Sequence, residues 1–174
     1  MRNISNSLLA IPFLLVFFGC KIKKTVTATS ANYSAKENFV VIEAKMANGK
    51  PIFGIANKGY KNYQYKAKFP WCLEISIAYN LDSCFINGLP WNSESKIANK
   101  LEDDLLDGIK KKGNTQYIGH TCGDTFQDVY IYLDDPKLAH EFLQTQIDKP
   151  GLTRGFRYEI KEDKDWEMVK NLLQ

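Results

Sequence analysis

The sequence lacks the motifs that commonly announce an activity. It has no G-x-S-x-G elbow, no phosphate-binding glycine loop and no H-E-x-x-H helix. Histidine is scarce, with only His120 and His140. These absences argue against an enzyme without excluding one. Charge of one sign is also missing. A net charge of +3, from 23 basic and 20 acidic residues, is too balanced for a nucleic-acid surface. No internal repeat is visible. Nor is there a run of the ~20 apolar residues that would span a bilayer. The one strongly apolar stretch, Leu8 to Phe18, is too short and contains Pro12. Cysteine is limited to Cys20, Cys72, Cys84 and Cys122.

What is present begins with the amino terminus. Arg2, the apolar Leu8–Phe18 and the end "VFFGCKIKK" have the layout of a signal peptide. Val16 to Cys20 resembles a bacterial lipoprotein box. That resemblance implies a diacylglyceryl group on the Cys20 thiol, cleavage before it, and an acyl chain such as palmitate on the new amino end. Several buried chains at ~0.8 kcal/mol per CH₂ would hold the protein to a membrane of the cell envelope. Residues 1–19 are thus expected to be a signal peptide and residues 20–36 ("CKIKKTVTATSANYSAK") a lipidated tether without apolar period. Residues 37–174 should form one domain. At 44% hydrophobic and 25% charged, the chain has the composition of an ordinary globular protein.

Within that domain Phe39 to Met46 alternates, Asn48-Gly49 is a strong hairpin signal, and Pro51 to Ala56 returns as a second strand. "NKGYKNYQYKAKFP" reads as a solvated connection whose tyrosines lie on the domain. Trp71 to Tyr79 has period two, with Leu73, Ile75, Ile77 and Tyr79 on one face. Ser93 is placed to cap a helix with an Ile97, Ala98, Leu101, Leu105, Leu106, Ile109 stripe. Glu102-Asp103-Asp104 reads as its solvated face. Thr115 to Cys122 and Phe126 to Leu133 are strands about a Gly123-Asp124 turn. Asp135-Pro136 starts a second helix. His140 should lie on its solvated side. Gly155 to Lys161 is a further strand, and Asp163 to Leu173 a final amphipathic helix. From Trp71 the order is β-α-β-β-α-β. It predicts an α+β fold, a ferredoxin-like sandwich preceded by a hairpin and followed by a short C-terminal helix.

Four stretches carry a family resemblance: "NGKPIFGIANKGYKNYQYKAKFPWCLEISI", "NGLPWNSESKIANKLEDDLL", "YIGHTCGDTFQDVYIYLDD" and "EDKDWEMVKNLL". They resemble successive motifs of the domain-of-unknown-function family DUF695, over about Asn38 to Leu173. The resemblance implies a ferredoxin-like fold and no established chemistry. Cys84 and Cys122 lie outside the family pattern.

Two surfaces are candidates for function. In the expected topology the first and second core strands run parallel. Cys84 and Cys122 then lie at one end of the sheet, with Cys72 roughly 25 Å away at the other. A Cys84–Cys122 disulfide fits that geometry in an oxidising envelope. Alternatively, Cys84, His120 and Cys122 could serve a metal- or thiol-dependent enzyme, although the C-x-x-C clip of zinc sites is missing. The second surface is the sheet face without helices, expected to carry Glu74, Ser76, Tyr130, Tyr132, Arg157 and Glu159. Aromatics among charges there suit a small molecule, a peptide strand or a second copy of the chain. The opposing expectation is that the hairpin or the last helix covers this face. The reading is an envelope-anchored binding or interaction module, with no cofactor or metal and no nucleic-acid partner. The alternatives are the enzyme at the cysteine end and a self-associating structural lipoprotein with a second copy of the chain as its partner in a homodimer.

Overall fold

A computed structural model of the chain describes residues 33–174. Cys20, the expected signal peptide and most of the expected tether lie outside the described residues. The last tether residues pack on the domain: Tyr33 meets the rings of Tyr65 and Phe69 at 5.2 and 5.9 Å, and its carbonyl accepts from the Tyr63 hydroxyl.

The alternating stretches all become strands: β1 (Phe39–Lys45), β2 (Pro51–Asn57), β3 (Trp71–Ala78), β4 (Thr115–Gly123), β5 (Phe126–Leu133) and β6 (Phe156–Glu162). They form one six-stranded sheet in the order β1-β2-β4-β5-β3-β6, and every neighbouring pair is antiparallel. The described helices are α1 (Asn92–Lys110), α2 (Pro136–Ile147) and the short α3 (Lys170–Leu173). The fold is thus mixed α and β, with an antiparallel sheet as its frame.

Both faces of the sheet are used. On one, Leu73, Ile75 and Ile77 of β3 and Val129, Ile131 and Leu133 of β5 meet Ala98, Leu101, Leu105 and Ile109 of α1 and Ala139 and Leu143 of α2. This is the burial that period two and the helical stripe require of each other. On the other face a smaller cluster forms. Cys72, Ile118 and Tyr132 lie beneath Tyr60 and Phe69 of the β2–β3 connection and Trp166, Val169 and Leu173 of the C-terminal segment. Trp166 stacks on Tyr132 with ring centroids 4.0 Å apart and donates its indole N–H to the Phe69 carbonyl at 3.0 Å. Truncating such a side chain typically costs about 3–5 kcal/mol.

Two helix starts differ from expectation. The N-cap of α1 is Trp91, without a side-chain cap; Ser93 lies inside the first turn. Glu94 is the ordering group instead. It is 1% exposed, accepts the Asn80 N–H at 2.9 Å, and is clamped by Arg154 Nε and Nη2, each at 2.5 Å. The expected helix from Asp163 is also interrupted. Trp166 adopts φ 62°, a 3-10 turn follows over Glu167–Val169, and only Lys170–Leu173 is α-helical. The Asp163 carboxylate is committed elsewhere, accepting from the Glu167 and Met168 N–H groups and from the Tyr132 hydroxyl.

Candidate functional site

The second core strand contains an irregularity that the sequence pattern does not reveal. Tyr117 pairs with Ile131 and His120 with Val129, with a bulge between Tyr117 and Gly119. Residues three apart on a regular strand point to opposite faces. Here the extra residue restores the phase, so Tyr117 and His120 both face α1. Gly119 makes this possible. Its φ is 146°, and a Cβ there would stand 2.0 Å from the Ile55 carbonyl oxygen on β2. Only glycine suits both the dihedral and the approach.

The shared face builds a polar network around one carboxylate of α1. Glu102 Oε1 accepts the Tyr117 hydroxyl at 2.6 Å. Glu102 Oε2 lies 2.8 Å from His120 Nδ1 and accepts Gln127 Nε2 at 2.5 Å. Gln127 in turn bonds Asn99 Oδ1 at 3.1 Å, and its Oε1 accepts the Tyr79 hydroxyl at 3.3 Å and the Cys122 thiol at 3.8 Å. Glu102 is 5% exposed and Gln127 fully buried. The solvated face expected for Glu102 is therefore overturned. Asp103 and Asp104 remain exposed, as the pattern suggested.

Burial by itself would lower the basicity of His120. The hydrogen bonds to Cys122 and Glu102, and their charges, outweigh it and push the imidazole up to about 10. His120 is consequently an imidazolium at neutral pH. Three bonds on one buried carboxylate, with a charged partner, meet the condition under which a buried charge is tolerated.

The network is the floor of a cavity of about 320 Å³ between α1 and the β1–β2 hairpin. Phe39, Ile55 and Leu106 are its apolar walls, and Asn99 and Asp103 stand at its rim. A cavity of slightly larger volume, about 340 Å³, lies between α1 and the α2–β6 connection. It is lined by Lys100, Asp104 and Lys149 among others, and Lys100 and Asp104 are an exposed ion pair on one helix face. It has no buried ionisable group and thus no comparable chemical character.

The residues expected on the helix-free face fall into two groups. Tyr132 is fully buried beneath Trp166 and offers nothing to a ligand. Ser76 is 6% exposed. Glu74, Ser76, Arg157 and Glu159, with Tyr158, line an open cavity of about 200 Å³, and Tyr130 is half-buried. Burial, then the neighbouring Asp128 and Glu159 carboxylates, raise the Glu74 pKa. The C-terminal segment thus covers one end of this face and leaves the other open.

Among the described residues, Cys72, Cys84 and Cys122 carry free thiols. Cys84 Sγ donates to the Asn80 carbonyl at 3.4 Å, and burial, then the Glu94 charge, raise its pKa. Cys72 is buried on the opposite face, its thiol pushed up to about 12 by desolvation. Cys122 belongs to the Glu102 network, whereas Cys84 lies at the carbonyl of Asn80. Among the described residues, no three His, Cys, Asp or Glu side chains are grouped to hold a metal ion. No described helix is long and apolar enough to cross a membrane. His140 is exposed and meets the Tyr158 hydroxyl at 2.9 Å.

In comparisons with known proteins, residues 18–173 match the family of unknown function DUF695. No curated protein and no solved structure matches the chain.

Proposed function

We propose that this chain, which belongs to the DUF695 family, is a binding module anchored in a bacterial cell envelope through Cys20. Its ligand seat is the cleft between α1 and the β1–β2 hairpin. One observation carries the reading: a mutually hydrogen-bonded Glu102–His120–Tyr117 group forms the floor of a cavity walled by Phe39, Ile55 and Leu106. Apolar walls with a few convergent polar groups are the usual make-up of a small-molecule site. The matching ligand is a small amphipathic molecule, its apolar part against Phe39, Ile55 and Leu106 and its hydrogen-bonding end toward Tyr117 and His120. Binding is favoured over base catalysis because His120 Nδ1 is committed to Glu102 Oε2 at 2.8 Å. An imidazolium held by Glu102 is no general base at neutral pH. The fold reading belongs here as well: β3-α1-β4-β5-α2-β6 is a ferredoxin-like sandwich extended by the β1–β2 hairpin. The order β4-β5-β3-β6, with β3 and β4 both antiparallel to β5, supports it.

The seat is tested by amide and side-chain NMR of the protein titrated with small amphipathic compounds. Shifts confined to Phe39, Ile55, Tyr117 and His120 are expected; shifts confined to Glu74 and Arg157 would move the seat to the helix-free face. The anchor is tested by labelling cells with a fatty-acid analogue. Label on the native chain and none on Cys20→Ser is expected.

A second reading rests on the place of Cys122 in the same polar network as His120, its thiol donating to Gln127 Oε1 at 3.8 Å. In this reading the site is thiol-dependent, with Glu102 orienting His120. Alkylation of Cys122 at pH 6 that is much faster than that of Cys84 would favour it.

A further inference from the structure

The sheet has two outer edges, and they differ. At β6 the chain alternates charges. Arg157 lies over the Phe126 ring at 5.0 Å, Lys161 pairs with Glu159 at 2.6 Å and Lys164 with Glu162 at 2.9 Å. Charged, internally committed side chains of this kind discourage strand pairing. At β1 the sequence is Phe-Val-Val-Ile-Glu-Ala-Lys. Phe39 is 43% and Val41 71% exposed. Among the described residues, Glu37, Glu43 and Lys45 form no ion pair. An exposed edge that opens on four apolar residues and whose charges have no partner within the described chain is a template for another strand.

The backbone phase of that edge is fixed. Met46 N–H donates to the Lys50 carbonyl at 2.9 Å, and Lys58 N–H donates to the Asn38 carbonyl at 2.8 Å. Hydrogen-bonded and non-bonded pairs alternate along an antiparallel ladder. Even-numbered β1 residues therefore bond inward to β2. Phe39, Val41, Glu43 and Lys45 turn their N–H and C=O groups outward. Pro51, which lacks an N–H, sits opposite odd-numbered Lys45, consistent with that phase.

We propose that two copies of this chain pair antiparallel along β1 about a two-fold axis at Val41, continuing the sheet across both. Side chains on one face stay on one face only if paired residues share parity, and outward groups meet only if both are odd-numbered. Three registers satisfy these conditions with most of β1 overlapped. Centred on Glu43, Glu43 faces the partner's Glu43, which sets like charges against each other. Centred on Ile42, Val41 faces the partner's Glu43 and Phe39 faces the partner's Lys45, with no opposite charges in register. Centred on Val41, Val40 faces the partner's Ile42, Phe39 faces the partner's Glu43, and Glu37 faces the partner's Lys45 just beyond both ends of the ladder. Of the three, only the Val41-centred register sets opposite charges against each other, and this charge complementarity selects it and a second copy as the occupant. A ladder of this size with little side-chain burial makes a reversible dimer rather than an obligate one.

The test is sedimentation equilibrium of the full chain, with detergent mass matched out, together with three variants. Val41→Pro removes one outward N–H and leaves the inward ladder intact, so it should be monomeric with native circular dichroism. Lys45→Glu places like charges opposite each other twice and should weaken association about tenfold. Glu37→Lys combined with Lys45→Glu should restore it. Register is read by oxidation: Val41→Cys should cross-link two copies, since a bonded pair stands ~5.5 Å apart at Cα, within disulfide reach. Ile42→Cys should not. A native chain that stays monomeric at every concentration overturns the proposal. So does a dimer that survives Val41→Pro, or one that cross-links through Ile42→Cys instead.

Discussion

His120 Nδ1 and Glu102 Oε2 stand 2.8 Å apart, one on β4 and the other on α1, both largely shielded from water. This contact ties the first helix to the strand that carries the bulge, and it forms the base of the proposed ligand seat. Breaking it from one side leaves an uncompensated charge. Glu102→Gln should therefore destabilise the protein by about 3–5 kcal/mol. Replacing both partners by leucine should cost less than the two single changes together. A urea-denaturation double-mutant cycle checks this. Additive costs would show that the two groups do not interact energetically.

The same pair sets a pH dependence. His120 titrates near 10 in the folded protein and near 6.5 when unfolded. The folded value is the higher one, so the stabilisation is complete below about pH 6.5. It falls by at most about 1.4 kcal/mol per pH unit between there and about pH 10. The urea midpoint of the native protein should drop from pH 7 to pH 9, and that of His120→Gln should drop less. Equal slopes would contradict the assigned charge state.

Acid should act through a different pair. The Arg154 hydrogen bonds hold the Glu94 carboxyl below its usual range, against the opposing effect of burial. A lowered carboxyl contributes stability above its unfolded pKa and loses it as pH falls through the folded value. Arg154→Lys keeps the charge and loses the two-pronged contact. Its acid-unfolding midpoint should lie at higher pH than that of the native protein, as read by tryptophan fluorescence.

Gly119 and Gly49 separate two meanings of a left-handed glycine. Gly49 has φ 81° and open space around its Cβ position, whereas a Cβ at Gly119 would strike the Ile55 carbonyl. Gly49→Ala should cost about 1 kcal/mol from the dihedral alone. Gly119→Ala should cost several times more and release the β2–β4 pairing. Thermal unfolding of both variants, with His120 side-chain NMR as a local probe, distinguishes the outcomes.

These residues also mark where sequence reading stops. The strands, the α1 stripe and the Asp135-Pro136 helix start were legible because each follows a local period or cap. The site was not. Glu102 sits in an acidic triplet that looks solvated, and its partners Tyr117, His120 and Gln127 come from other elements. The bulge at Gly119 then puts Tyr117 and His120 on one face, which period two forbids. The isolated signal was Gly119 itself, a glycine inside a strand, between Ile118 and His120. Tyr132 shows the reverse. Its alternation placed it correctly on the helix-free face, but the left-handed turn at Trp166 folds the chain end over it.

The measurement that tests the central claim most directly is the native mass of the full chain isolated from its native cells without chelator, beside an Ile55→Phe variant that fills the cleft. The account predicts a discrete additional mass on the native chain, beyond any acyl groups, and none on Ile55→Phe. An equal additional mass on both chains, or its absence from the native chain, would contradict a ligand seat between α1 and the hairpin.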